Sequence, residues 1–148
     1  MSYETITSPF PLWRRAASWL GGVVLGAVLL LGAFTKVLDP EGFAEVIRAE
    51  GLDFLLGATA VALIAFALEA GLGTALVLGI RRLWVLVPST LLVIFFLFLT
   101  GRSYLAYLRG ETADETGCGC FGNLIDRTPA EAFWQDVALM LPALLLAW

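Results

Sequence analysis

Long, almost uninterrupted apolar stretches alternate with short polar connections along this chain. The apolar stretches cover approximately residues 17–38, 54–80, 83–100 and 129–148. A helix needs roughly 20 apolar residues to cross the hydrocarbon core of a bilayer, and each stretch is close to that length. The pattern therefore predicts an all-α fold, a polytopic membrane protein whose four spans form one domain over residues 1–148.

A short amphipathic helix is predicted between the first two spans, in the stretch DPEGFAEVIRAEG. Pro40 suits the first position of a helix, and Gly51 suits the position just after its end. Phe43, Val46 and Ile47 fall on one face at helical spacing. We expect this helix to lie in the membrane interface at the outer end of a four-helix bundle.

Local signals also bear on the first and fourth spans. Gly22 and Gly26 have the spacing of small residues that lets two helix backbones approach closely, so the first span should pack inside the bundle. A cleaved signal peptide is the rival interpretation, but the run is longer than the roughly 7 to 15 residues of such a segment. In the fourth span, Thr128 and Glu131 have the spacing of a capping box around Pro129.

Composition agrees with the membrane assignment and excludes one class of partner. Hydrophobic residues make up 59% of the chain, charged residues 15%, and the mean hydropathy is +0.87. The net charge of -4 argues against nucleic acid, because phosphate binding relies on clustered lysine and arginine. The bilayer is the expected environment.

The distribution of cations predicts the orientation. Four spans place both termini on one side, together with Arg14, Arg15, Arg81 and Arg82 in short flanks. The other side has five cations spread over longer, acid-rich connections: Lys36, Arg48, Arg102, Arg109 and Arg127. The concentrated pairs favour cytoplasmic termini in the inner (plasma) membrane, with the loop between the third and fourth spans outside the cytoplasm.

Both cysteines of the chain lie in that loop, in the stretch ETGCGCFGN. In extended backbone the Cα atoms of Cys118 and Cys120 would lie about 6.5 Å apart, so a disulfide needs a turn at Gly119. So small a ring is strained and exchanges readily, which favours a working redox pair. A local staple is the structural alternative, although it would close too short a loop to stabilise the fold much.

Metal binding by the same two thiols is a further alternative. Cys118 and Cys120 could hold a soft ion such as Cu(I) by linear coordination, whereas structural zinc needs four ligands. The chain contains no histidine, which excludes a Cys-His nucleophile. Acidic neighbours such as Glu115 disfavour a thiolate on this chain, so a partner would supply the attacking thiolate.

Glu69 stands out because a carboxyl group in the middle of a span is costly and marks a candidate functional site. It falls on a stripe of small residues, Ala62, Ala65 and Gly73 among them, that should face other helices. An interhelical contact and a role in proton or quinone chemistry both remain open. Lys36 is a potential partner, but its predicted depth differs from that of Glu69, so we expect it to snorkel to the interface.

The stretches CGCFGN, GAFTKVLDPEGFAEVI, LEAGLGTALVLG and FWQDVALM resemble the MauE/DoxX-like redox-associated membrane proteins over nearly the whole chain. The resemblance implies a four-helix bundle that forms or maintains disulfides outside the cytoplasm with a thioredoxin-like partner, as in maturation of methylamine dehydrogenase. It implies Cys118 and Cys120 as the redox pair and extends more loosely to Lys36 and Glu69. These two are candidate cofactor-binding residues, and a quinone is the candidate cofactor. Quinone-linked oxidases of the DsbB and vitamin K epoxide reductase kind use two cysteine pairs; this chain has one.

Three functional hypotheses follow. The first is a thiol-disulfide exchange component, a candidate oxidoreductase subunit, acting through Cys118 and Cys120. The second is a soft-metal transport protein that uses the same two residues, and the third is a non-catalytic assembly subunit of a larger membrane complex. If thiol-disulfide exchange is the function, Cys118 and Cys120 should lie near the outer lipid boundary, beside the short helix.

Overall fold

A computed structural model describes residues 12–49, 51–52, 54, 56–110 and 128–148. These residues form helices and short connections, and four of the helices are long and apolar enough to span a membrane. The predicted all-α membrane fold is confirmed. The helices are α1 (Leu12–Leu38), α2 (Pro40–Ala49), α3 (Ala58–Val77), α4 (Leu83–Leu108) and α5 (Pro129–Ala147).

Four helix ends differ by three or more residues from the apolar stretches read from the sequence. α1 begins at Leu12 rather than near residue 17, and α3 ends at Val77 rather than near residue 80. α3 begins at Ala58, after the apolar run has already started at Phe54, and Gly57 precedes its first turn. α4 continues to Leu108, beyond the apolar stretch that closes at Thr100. Hydropathy marks the part of a helix that suits lipid, whereas backbone hydrogen bonding decides where the helix stops.

The start of α5 is fixed by the capping box that the sequence predicts. The Thr128 hydroxyl accepts a hydrogen bond from the backbone N–H of Glu131 at 3.3 Å. The Glu131 carboxylate accepts one from the backbone N–H of Thr128 at 3.0 Å. Two donors that a helix N-terminus leaves unsatisfied thus find partners, and Pro129 at the first position has no N–H to satisfy.

α1 is the central helix of the bundle. It packs against α3 on one side and α5 on the other, while α4 packs mainly on α5 and α2 lies on α3. α3 and α4 are adjacent but make few contacts with each other. The bundle is therefore closed on three sides and has an open seam along the fourth, between α3 and α4.

Glycines set the spacing of α1 from its two neighbours. A Cβ atom on Gly26 would lie 2.7 Å from the carbonyl oxygen of Gly73, so these two backbones meet where α1 crosses α3. A Cβ atom on Gly21 would lie 2.8 Å from the carbonyl oxygen of Ala143 in α5. Gly22, by contrast, makes only ordinary contact with Arg81. The predicted role of Gly26 in close packing is observed, and Gly21 takes the role expected of Gly22.

The outer surface of the four long helices is apolar. Large side chains on every one of them are exposed, as expected where lipid rather than water surrounds the protein. The interior is a cluster that includes Leu25, Leu29, Leu76, Val93 and Met140. The hydroxyls of Ser89, Thr90 and Thr100 in α4 donate to backbone carbonyls four residues earlier, so these three are satisfied within their own helix.

The two ends of the bundle differ in what they carry. At one end the Arg81 guanidinium donates to the Ser18 hydroxyl, and the Trp148 indole N–H donates to the Thr90 hydroxyl at 3.0 Å. At the opposite end, which we call the α2 end, α2 packs on the start of α3. α4 ends and α5 begins at this same end, so residues 111–127 are attached there through Gly110 and Thr128.

Candidate functional site: a buried ion pair beside an open groove

Lys36 of α1 and Glu69 of α3 form an ion pair in the interior of the bundle. The Lys36 ammonium nitrogen lies 2.9 Å from Glu69 Oε1 and 3.0 Å from Oε2. The two side chains are 3% and 1% exposed. The ammonium also donates to the carbonyl oxygen of Gly32 at a longer 3.4 Å. The structure thus brings together the two charged residues that the sequence places in the first two spans.

The prediction that Lys36 snorkels to the interface is wrong, and helix geometry explains why. Where the helices cross, Gly26 is level with Gly73. From there Lys36 lies about 15 Å and Glu69 about 6 Å toward the α2 end, at 1.5 Å per residue. Side chains tilt toward the N-terminus of their helix, so in these antiparallel helices Lys36 leans inward and Glu69 leans outward. Both tilts close the remaining gap of about 9 Å.

Aromatic rings complete the surroundings of the ammonium. Its nitrogen lies 4.8 Å from the ring centre of Phe43 in α2 and 5.5 Å from that of Phe96 in α4. Both distances permit cation–π attraction. Glu69 Oε1 receives no hydrogen bond of good geometry within the described residues, although Lys36 is close to it. As an ammonium and a carboxylate, Lys36 and Glu69 together carry no net charge.

A groove runs along the open seam and reaches Lys36 of this pair. We call it the α3–α4 groove; its volume is about 430 Å³. α2 covers one end through Phe43, Val46 and Ile47, and the polar residues of the lining are Lys36 and Thr100. The walls are apolar side chains of the two helices, among them Val61, Ala65, Leu68, Leu72, Leu91, Leu92, Phe96 and Leu99. Such a cavity suits an elongated apolar molecule with one polar end.

A family model described as methylamine utilisation protein MauE matches residues 14–148. The chain belongs to the MauE family. The matched region includes all but the first two residues of α1 and the whole of the other four helices, so the ion pair and the groove both lie within the MauE region. No curated protein and no solved structure matches the chain.

Asp136 is a buried acid of this MauE family member that the sequence analysis did not single out. It lies in α5, seven residues after Pro129, and is 1% exposed. The rule that marked Glu69 applies equally here, because Asp136 is an ionisable residue within an apolar span. Asp136 lies near the polar start of α5, so in the sequence it resembles a charge that flanks the span.

Within the described residues, no group of three or more potential ligands could hold a metal ion.

Cys118 and Cys120, the predicted redox pair, lie outside the described residues of this MauE protein. Their expected position near the outer lipid boundary stays a prediction, as does the alternative of metal binding. The described residues do fix where the segment is attached. Gly110 and Thr128 join residues 111–127 to the α2 end, the same end toward which Lys36 lies from the helix crossing.

Proposed function

We propose that this MauE family protein is a membrane thiol-disulfide exchange component, and that Cys118 and Cys120 are its redox pair. The observation that carries the proposal is the Cys-Gly-Cys sequence in the connection from α4 to α5. Two thiols separated by one glycine can form a small, strained and therefore exchangeable disulfide. The description of the family names methylamine utilisation, and the resemblance stated above connects that process with disulfide formation during maturation of methylamine dehydrogenase.

The exchange reaction has the following balance. A thiolate of the partner attacks one sulfur of the Cys118–Cys120 disulfide, and the other sulfur leaves as a thiolate. The partner's second thiol then attacks the mixed disulfide, so the partner becomes a disulfide and Cys118 and Cys120 become thiols. Two electrons and two protons have moved. The reverse sequence reduces the partner by the same steps.

The proposed partner is a thioredoxin-like protein outside the cytoplasm. Its cysteine would supply the attacking thiolate, because acidic residues such as Glu115 and Asp114 surround the pair on this chain. In the proposed orientation the α2 end lies outside the cytoplasm, and Arg81 and Arg82 lie on the cytoplasmic side of the plasma membrane. Disulfides persist on the outer side, where cytoplasmic reductants do not reach them.

A trapping experiment tests this function in cells. With one cysteine removed, Cys118→Ser or Cys120→Ser should hold the partner as a mixed disulfide, seen as a band that disappears on reduction. The double variant Cys118→Ser/Cys120→Ser is the matched control and should trap nothing. If neither single variant accumulates a mixed disulfide with any extracytoplasmic protein, the exchange function is wrong.

The same two cysteines report the orientation, since the chain has no others. A membrane-impermeant maleimide added to intact reduced cells or spheroplasts should label the protein and should fail to label the double serine variant. Labelling that requires permeabilised membranes would place the α2 end in the cytoplasm. Metal analysis of the reduced, purified protein distinguishes exchange from soft-metal transport. A stoichiometric soft ion that is bound by the native protein and lost in the double serine variant would favour transport.

A further inference from the structure

We infer that the α3–α4 groove binds a lipid-soluble quinone, whose ring lies at the Lys36 end and whose prenyl tail lies along the seam. The inference concerns binding and stands independently of cysteine exchange. It rests on four properties of the groove: its opening, its length, the charge at its polar end, and the shape of the surfaces there.

The opening of the groove faces the lipid. α3 and α4 make few contacts with each other, and Leu68 and Leu91, which line the groove, are also exposed on the surface of the bundle. That surface is the apolar one which the bilayer covers. A ligand therefore enters sideways from the hydrocarbon, which selects a lipid-soluble molecule over an aqueous one.

The groove is long and narrow. Along α4 its lining extends from Pro88 to Thr100, a distance of about 18 Å. Its volume of about 430 Å³ lies in the range of roughly 300 to 1,000 Å³ that small-molecule sites occupy. These dimensions suit a single ring that carries a linear apolar tail.

The charge at the polar end selects a neutral acceptor. The Lys36 ammonium is already paired with the Glu69 carboxylate, so an added fatty-acid carboxylate or lipid phosphate would leave one negative charge buried without compensation. A ring carbonyl is uncharged and needs only a donor. The hydrogen bond from Lys36 to the Gly32 carbonyl, at 3.4 Å, is longer than the one to Glu69 at 3.0 Å, and a carbonyl ligand would replace the longer bond.

The surfaces around the ammonium suit a flat ring. Phe43 and Phe96 line the groove and approach the Lys36 nitrogen from α2 and α4. A planar molecule that reaches Lys36 must pass beside these rings, where offset or edge contacts between aromatic systems are favourable. A saturated acyl chain gains neither these contacts nor the hydrogen bond to Lys36.

Matched substitutions in α3 test the site. Ala65 lines the groove and is half-buried, whereas Ala67 is exposed and lies outside the lining. Ala65→Phe should fill the groove, and Ala67→Phe should add the same ring to the lipid-facing surface. The measurement is the dissociation constant of a benzoquinone with one isoprene unit, by calorimetry on protein in quinone-free nanodiscs, with empty nanodiscs as the baseline.

The expected result is saturable binding to the native protein and to Ala67→Phe, and binding at least about tenfold weaker in Ala65→Phe. A heat signal no larger than that of empty nanodiscs would overturn the inference, as would equal weakening by the two substitutions. Displacement of the quinone by an equal concentration of a fatty acid would instead identify an anionic-lipid site.

The double variant Lys36→Met/Glu69→Leu tests the hydrogen bond to the ring, since it removes the donor without leaving an unpaired charge. A hydrogen bond from a charged donor corresponds to roughly 10- to 100-fold in affinity, so quinone binding should weaken by that factor. Binding of a prenyl hydrocarbon of the same length should not change. Equal affinity of the native protein for both compounds would mean that the groove holds only apolar chains.

Discussion

Removal of Lys36 alone should destabilise the protein far more than removal of Lys36 and Glu69 together. At 2.9 Å and an effective dielectric constant near 20, the attraction between the two charges is about 6 kcal/mol. Much of this offsets the cost of taking both charges out of water. Lys36→Met forfeits the attraction and leaves Glu69, which is 1% exposed, without its ammonium. The expected loss in the free energy of unfolding is about 3 to 5 kcal/mol.

The double variant Lys36→Met/Glu69→Leu should lie within about 1 kcal/mol of the native protein, because apolar side chains of similar volume replace a buried pair at little or no cost. The native protein, Lys36→Met, Glu69→Leu and the double variant form a double-mutant cycle, which can be measured by reversible unfolding in mixed detergent micelles. The decisive quantity is the coupling between the two substitutions, expected at several kcal/mol. If Lys36→Met costs less than about 1 kcal/mol, or if the two effects simply add, the buried pair described above does not exist in the membrane.

Two further substitutions test the packing and the helix start. Gly26→Leu should destabilise the bundle by more than about 2 kcal/mol in the same unfolding assay, because its Cβ would lie 2.7 Å from the Gly73 carbonyl oxygen. Gly71→Leu is the control and should change the stability little, because a Cβ at Gly71 would meet nothing within 4 Å. Thr128→Ala removes the hydroxyl that caps α5 and should cost about 1 kcal/mol, with Thr128→Ser close to native; equal losses in the two variants would argue against the cap.

Much of the fold could be predicted from the sequence because the relevant signals are local. Four apolar runs, the amphipathic pattern around Phe43 and Ile47, and the Thr128 capping box each depend on neighbouring residues only. The contact between Lys36 and Glu69 depends instead on the relative height of two helices. The crossing of Gly26 and Gly73 sets that height, and hydropathy does not reveal this crossing. Side-chain tilt then turns Lys36 inward, toward Glu69.

The groove could not be predicted for a different reason. Leu68 and Leu91, which line it, are as apolar as side chains that face lipid elsewhere on the same helices. In a membrane protein both environments select the same residue types, so periodicity does not distinguish a groove from the lipid surface. Only the pairing of helices, which leaves α3 and α4 apart, creates the seam. Asp136 was overlooked because one acid close to a helix start resembles a flanking charge.

The separation of the ion pair along the chain has a consequence for the order of events during synthesis. Lys36 precedes Glu69 by 33 residues, so the ribosome delivers the ammonium well before the carboxylate that neutralises it. A lysine at the centre of a lone helix opposes insertion by about 2.5 to 3.5 kcal/mol, but Lys36 lies only two residues from the end of α1. Until α3 arrives, its side chain can extend to the headgroups. The snorkelling conformation, which the folded bundle does not show, is therefore the one expected of α1 just after its insertion. Insertion of α3 then brings Glu69 beside Lys36, and the lysine turns inward.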